Sequence, residues 1–115
     1  MDKTELKQRT KKFALEVIKL VKILPKTDIG RIIGNQLLRS ATAVAANYRA
    51  ACRARSKLEF IAKIVVVVEE ADESCFWLEM IIESKLLNLG QVQSLLKEAN
   101  EITAIMFSTR NTAKS

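Results

Sequence analysis

Residues 35–50 read Asn-Gln-Leu-Leu-Arg-Ser-Ala-Thr-Ala-Val-Ala-Ala-Asn-Tyr-Arg-Ala, an apolar stretch of helix length broken by Gln36, Arg39, Ser40, Thr42, Asn47 and Arg49. Ile33, Leu37, Val44, Tyr48 and Ala51 recur at the spacing that puts them on one face of an α-helix. The stretch is therefore the middle of a helix over 29–54, with Thr27 or Asp28 as its N-cap. Gly30, Gly34, Ala41 and Ala45 form a strip of small residues beside that face. Glycine costs a helix about 1 kcal/mol, so two of them one turn apart point to a closely packed neighbour, or else to a loose helix start at Gly30.

The same period continues outward. Upstream, Leu6, Phe13, Val17, Leu20 and Leu24 predict a helix over 4–24. Lys11, Lys12, Lys19, Lys22 and Lys26 lie on the opposite arc, and Pro25 ends the helix. Downstream, Ser56-Lys-Leu-Glu59 has capping-box spacing and opens a helix over 57–88. Two adjoining stripes mark its core side. One is Leu58, Ile61, Val65, Val68, Asp72, Cys75, Glu79, Ile82, Leu86 and Leu89; the other is Phe60, Ile64, Val67, Ala71, Leu78 and Ile81. Asn88 and Gly90 read as its stop. A fourth helix over 91–109 carries Val92, Leu95, Leu96, Ala99, Ile102, Ile105 and Met106, and a polar tail, 110–115, is expected to fray. Four helices with short connections predict an all-α, antiparallel, up-down-up-down four-helix bundle, a single domain over 1–115.

Composition narrows the function. Three glycines and one proline in 115 residues leave little to punctuate a β fold. The longest apolar run is Ile64–Val68, against the ~20 residues a bilayer requires. With a charged N-terminus lacking a signal-peptide core, the expectation is a cytoplasmic protein with no membrane partner. Zero histidines remove Ser-His and Cys-His catalysis and imidazole metal ligands. No enzyme, metal or cofactor is expected. Cys52 lies about four residues before the turn near residue 56 and Cys75 about nineteen after it, an offset of about 23 Å at helical rise. A disulfide needs Cα atoms within about 7 Å, so both should be free thiols.

The net charge of +6 is unevenly distributed. Residues 1–26 and 27–57 each carry +5, 58–90 carry −5, and 91–115 carry +1. Antiparallel packing gathers Lys3, Lys7, Arg9, Lys11, Lys12, Arg49, Arg53, Arg55, Lys57, Lys63, Arg110 and Lys114 at one end of the bundle. Only Asp2, Glu5 and Glu59 oppose them there. Such a pole attracts phosphate backbones without reading sequence. Lys7, Lys11, Lys12, Arg49, Arg53, Arg55 and Lys57 are the candidate nucleic-acid-binding residues, with RNA favoured over DNA. No aromatic residue interleaves with them, which leaves backbone and shape as the basis of recognition. If helices two and three pair about residue 56, residue 40 lies level with 71. Arg39 is then expected to bridge to Glu69, Asp72 or Glu73 and set the register. Val66, Phe76, Trp77, Met80, Leu15 and Ile18 fall outside the core faces, an apolar surplus that suggests an oligomer interface.

Together, 35–50, Ser-Lys-Leu-Glu-Phe at 56–60 and Glu-Ala-Asp-Glu-Ser-Cys-Phe-Trp-Leu-Glu at 70–79 resemble the small bundle proteins encoded by intervening sequences in bacterial large-subunit ribosomal RNA genes. The likeness runs over roughly residues 13–108. It implies a four-helix bundle assembled as a homopentamer, and its encoded location implies ribosomal RNA. Gln36, Ser40 and Asn47 match the family pattern and are expected to cap or bridge backbone within the core. More distantly, the chain is similar to accessory proteins of diversity-generating retroelements. These basic pentameric bundles imply an alternative role as a scaffold binding a reverse transcriptase and its template RNA.

Overall fold

Each helix begins where a short polar side chain supplies an acceptor that the first turn lacks. Asp2 accepts from the Glu5 amide at 2.8 Å, Thr27 from Gly30 at 3.1 Å, Ser56 from Glu59 at 3.0 Å and Asn88 from Gln91 at 3.0 Å. The Asp2 carboxyl is held below its ordinary pKa chiefly by that amide. In the computed structural model, which describes residues 1–115, the caps open α1 (Lys3–Lys22), α2 (Asp28–Cys52), α3 (Lys57–Glu83) and α4 (Leu89–Lys114). There are no strands, and the four helices form an elongated bundle of 44 × 20 × 19 Å. No helix is long and apolar enough to cross a membrane.

Three boundaries differ from the sequence reading. Asn88 does not stop a helix; it starts one, exchanging hydrogen bonds with Gln91 in a reciprocal capping box. The stop falls earlier, at Ser84, after which Lys85 takes φ 61° in the left-handed region. Asparagine suits either kind of cap, so residue type alone left its role open. At Ser56 only half of the expected box forms, because the Glu59 carboxylate turns to Arg55 at 3.9 Å. The segment from Arg110 is helical to Lys114, since no glycine or proline interrupts it and Arg110 stacks on the Phe107 ring at 4.4 Å.

The core is formed by Leu6, Phe13, Val17, Leu20 and Leu24, by Ile33, Leu37, Val44, Tyr48 and Ala51, and by Val92, Ala99, Ile102 and Met106. On α3 the stripe carrying Ile64, Val67, Ala71, Leu78 and Ile81 is buried, whereas Leu58 is 80% exposed and Asp72 and Glu79 face solvent. A helix apolar around most of its circumference has no sharp phase of its own, so packing selects the face. The glycines mark a close approach, as the small-residue strip suggested. A Cβ at Gly34 would lie 3.0 Å from Leu24 Cδ1 and 3.3 Å from Val21 Cγ1. At Gly30 it would run into the Pro25 carbonyl oxygen. Neighbours in sequence pack extensively, α1 and α4 close the bundle with a slighter contact, and the diagonal pairs do not touch.

Candidate nucleic-acid interface

Lys7 and Lys11 stand one turn apart on α1; Arg49 lies in the last turn of α2 and Arg53, four residues on, is its C-cap. Side chains four apart share a helix face. Because Gly34 packs between Val21 and Leu24, the antiparallel register sets Arg49 level with Lys7. All four cations line a groove of about 540 Å³ between the two helices. Its floor is small, with Ala14, Ala45 and Ala46, and Thr4, Gln8 and Thr42 complete the lining. No carboxylate lines it, and none of the four cations takes part in a salt bridge. Their charges are directed to solvent and to whatever enters.

The other three candidates lie elsewhere. Lys12 lines a second, larger cleft between α1 and α4, together with Glu16, Lys19 and Glu98. Arg55 is exposed beside Glu59 in the α2–α3 turn, and Lys57 is exposed at the start of α3. Arg9 is not a free cation of the pole. Its guanidinium is clamped by Glu98 at 2.6 Å and Glu101 at 3.0 Å. The carboxylates counted at that end, Asp2, Glu5 and Glu59, did not include this pair, which α4 brings to the level of Arg9. Lys3 sits over the Phe60 ring at 5.2 Å. The groove-lining Thr4, Gln8 and Thr42 were not anticipated, although Thr4 and Gln8 stand three residues before Lys7 and Lys11, and Thr42 seven before Arg49.

The polar network takes another form than expected. Arg39 is exposed and bridges to none of Glu69, Asp72 or Glu73. The α2–α3 seam belongs to its neighbour Ser40, fully buried, whose hydroxyl meets that of Ser74 at 2.9 Å and lies 3.1 Å from the Leu37 carbonyl. Residue 40 is thus level with 74 rather than 71, and one step along the helix turns Arg39 outward. Arg39 still acts at longer range: it lowers the pKa of Glu70, which burial first and then Glu73 raise above the ordinary value. Glu73 accepts from Trp77 Nε1 at 3.1 Å, while Glu69 and Asp72 are exposed. Asn47 donates to the Ala43 carbonyl at 2.9 Å, as a backbone bridge. Gln36, half-buried, makes no side-chain hydrogen bond and does not serve that role.

Cys52 and Cys75 are both free. Burial pushes the Cys75 thiol above its ordinary pKa, which disfavours the nucleophilic thiolate. No group of three or more His, Cys, Asp or Glu side chains converges. Trp77 is half-buried and meets Phe76 edge-on, with centroids 4.8 Å apart. Phe76, Leu15 and Val66 are exposed, as are Ile29, Ile32 and Phe107.

Comparison with known proteins follows the same outline. A family model described as 23S rRNA-intervening sequence protein matches residues 2–108. Among solved structures, the chain is similar to a protein with unknown function from the S23 ribosomal protein family of Bacteroides thetaiotaomicron. The two are 30% identical, with 91% of this chain and 97% of that one covered and a TM-score of 0.85. No curated protein matches the chain.

Proposed function

The chain belongs to the 23S rRNA-intervening sequence protein family, and from that premise we propose that it is a non-enzymatic RNA-binding protein holding phosphate backbones in the α1–α2 groove. One observation carries the reading: Lys7, Lys11, Arg49 and Arg53 converge on a single groove with no carboxylate in its lining. Four mutually repelling cations raise the energy of the free protein, and a polyanion relieves that cost. The counterions it sheds add to the gain. The family description names a segment of ribosomal RNA, which favours RNA over DNA. We include self-association in the proposal because Leu15, Val66 and Phe76 expose apolar surface; a ring of five is what the family resemblance implies. Copies around a ring would add avidity to a modest single-site affinity.

Fluorescence anisotropy with a labelled RNA that has a hairpin and a single-stranded tail tests the binding. Affinity should fall steeply between about 50 and 200 mM salt. Reversing Lys7, Lys11, Arg49 and Arg53 to glutamate should abolish it, while Lys22→Glu with Lys26→Glu, at the far end of α1, should leave it unchanged. Equal binding by the groove variant and the wild type would sink the proposal. Light scattering gives the number of copies.

A further inference from the structure

We infer that the α1–α2 groove takes one RNA strand laid lengthwise between the helices, free of a base-paired partner, an inference that rests on the groove being the RNA site. The cations form a ladder. Arg53 lies lowest, Lys7 and Arg49 share the next level, and Lys11 stands above them, each rung one helical turn or about 6 Å from the last. That step is close to the distance between consecutive phosphates along a strand. The rungs cross from one wall to the other: Arg53 and Arg49 project from the α2 side, Lys7 and Lys11 from α1, and the middle level carries one of each. Cations on both walls can flank the two sides of one backbone.

A duplex offers its phosphates differently. Each backbone in a duplex has its inner side closed by paired bases, so only one wall of the groove can engage it. The floor of Ala14, Ala45 and Ala46 keeps the trough open enough for a single backbone to sink between the walls. Gln8 and Thr4 make no side-chain hydrogen bond within the protein and line the same trough. They remain available to the ribose 2′-hydroxyl, which is both donor and acceptor. No aromatic residue lines the groove, so bases would project outward unread.

The test compares an unstructured uridine oligomer of about a dozen nucleotides with a blunt RNA duplex of equal length. The single strand should bind at least about tenfold tighter at one salt concentration. Its log–log salt slope should lie near about −2 to −3, for three to four phosphates at about −0.7 each. Arg49→Glu with Arg53→Glu, and separately Lys7→Glu with Lys11→Glu, should each weaken the single strand, because both walls are used. Circular dichroism confirms that these exposed-site variants stay helical. Equal or tighter duplex binding, lost on the same reversals, would overturn the single-strand inference and leave the groove as the RNA site. Failure of both probes to bind would overturn the two together.

Discussion

Arg9 is clasped by Glu98: Nε donates to one carboxylate oxygen at 2.8 Å and Nη2 to the other at 2.6 Å. A further bond from Nη2 reaches Glu101 at 3.0 Å. The fork joins α1 to α4, the most lightly packed of the adjacent helix pairs, and it bounds the cleft lined by Lys12 and Glu98. The hydrogen bonds it donates to Glu98 are the main reason the guanidinium is held above its ordinary pKa. With both side chains less than a third exposed, a bidentate charged pair is worth about 1–2 kcal/mol after screening. A double-mutant cycle of Arg9→Met and Glu98→Gln, read by urea denaturation, should give a coupling of about that size. Additive losses would mean the clasp is ornamental.

Ser40 and Ser74 share two hydroxyl protons among three contacts: the one between them, one to the Leu37 carbonyl, and one to the Glu70 carbonyl at 2.9 Å. Truncating one leaves the other satisfied by its own helix. Ser40→Ala should therefore cost only about 1 kcal/mol. Ser40→Val, which forces a larger branched side chain into a seam where both serines are fully buried, should cost about 1–3 kcal/mol. A neutral valine variant in a thermal melt would show that the seam is looser than the contact implies.

The two α2 glycines should respond oppositely to alanine. At Gly34 the new methyl meets the flexible ends of Leu24 and Val21, so a helix-propensity gain of about 1 kcal/mol offsets the crowding. Gly34→Ala is expected to be near neutral. At Gly30 the obstacle is the Pro25 backbone carbonyl, which cannot rotate away. Gly30→Ala should destabilise by about 1–3 kcal/mol, and a melting temperature equal to wild type would refute the close approach.

Glu70 links stability to pH. Burial and the Glu73 charge raise its folded-state pKa above the unfolded value. In the interval between the two values the folded protein binds more protons, so stability falls as pH rises through it. The penalty is complete above the folded pKa and absent well below the ordinary glutamate value of about 4.3. Glu70→Gln should thus stabilise the protein at neutral pH, with the advantage fading in acid. Parallel denaturation curves at the two pH values check the sign, and an advantage that grew in acid would contradict it.

Much of the fold was legible because α1 and α2 separate apolar from polar residues sharply and α4 repeats one apolar row at helical spacing. Phe13, Val17, Leu37, Val44, Val92 and Ile102 declare a single face, and each is buried. On α3, Leu58 and Ile64 looked equally suited to the core; the helix carries apolar residues on too many sides for periodicity to choose. Ile64 is buried and Leu58 is not, because the partners on α2 and α4 lie on that side. Asn88 was ambiguous for a different reason, since one residue type serves both ends of a helix. The candidate site was half visible. Lys7–Lys11 and Arg49–Arg53 advertise a shared face by spacing, but nothing local says that those two faces meet, or that Lys12 turns to α4.

Local chemistry by itself determined that this chain makes four helices, where three of them bury their faces, and that its two halves differ in charge. These follow from side-chain spacing and capping, which act within a few residues of one another. Tertiary structure alone decided which cations remain free. Glu98 and Glu101 lie some ninety positions from Arg9 and neutralise it, whereas Lys7 and Arg49 meet across a groove without a carboxylate. Coulombic pairing depends on distance in space, and that distance exists only once the helices have packed.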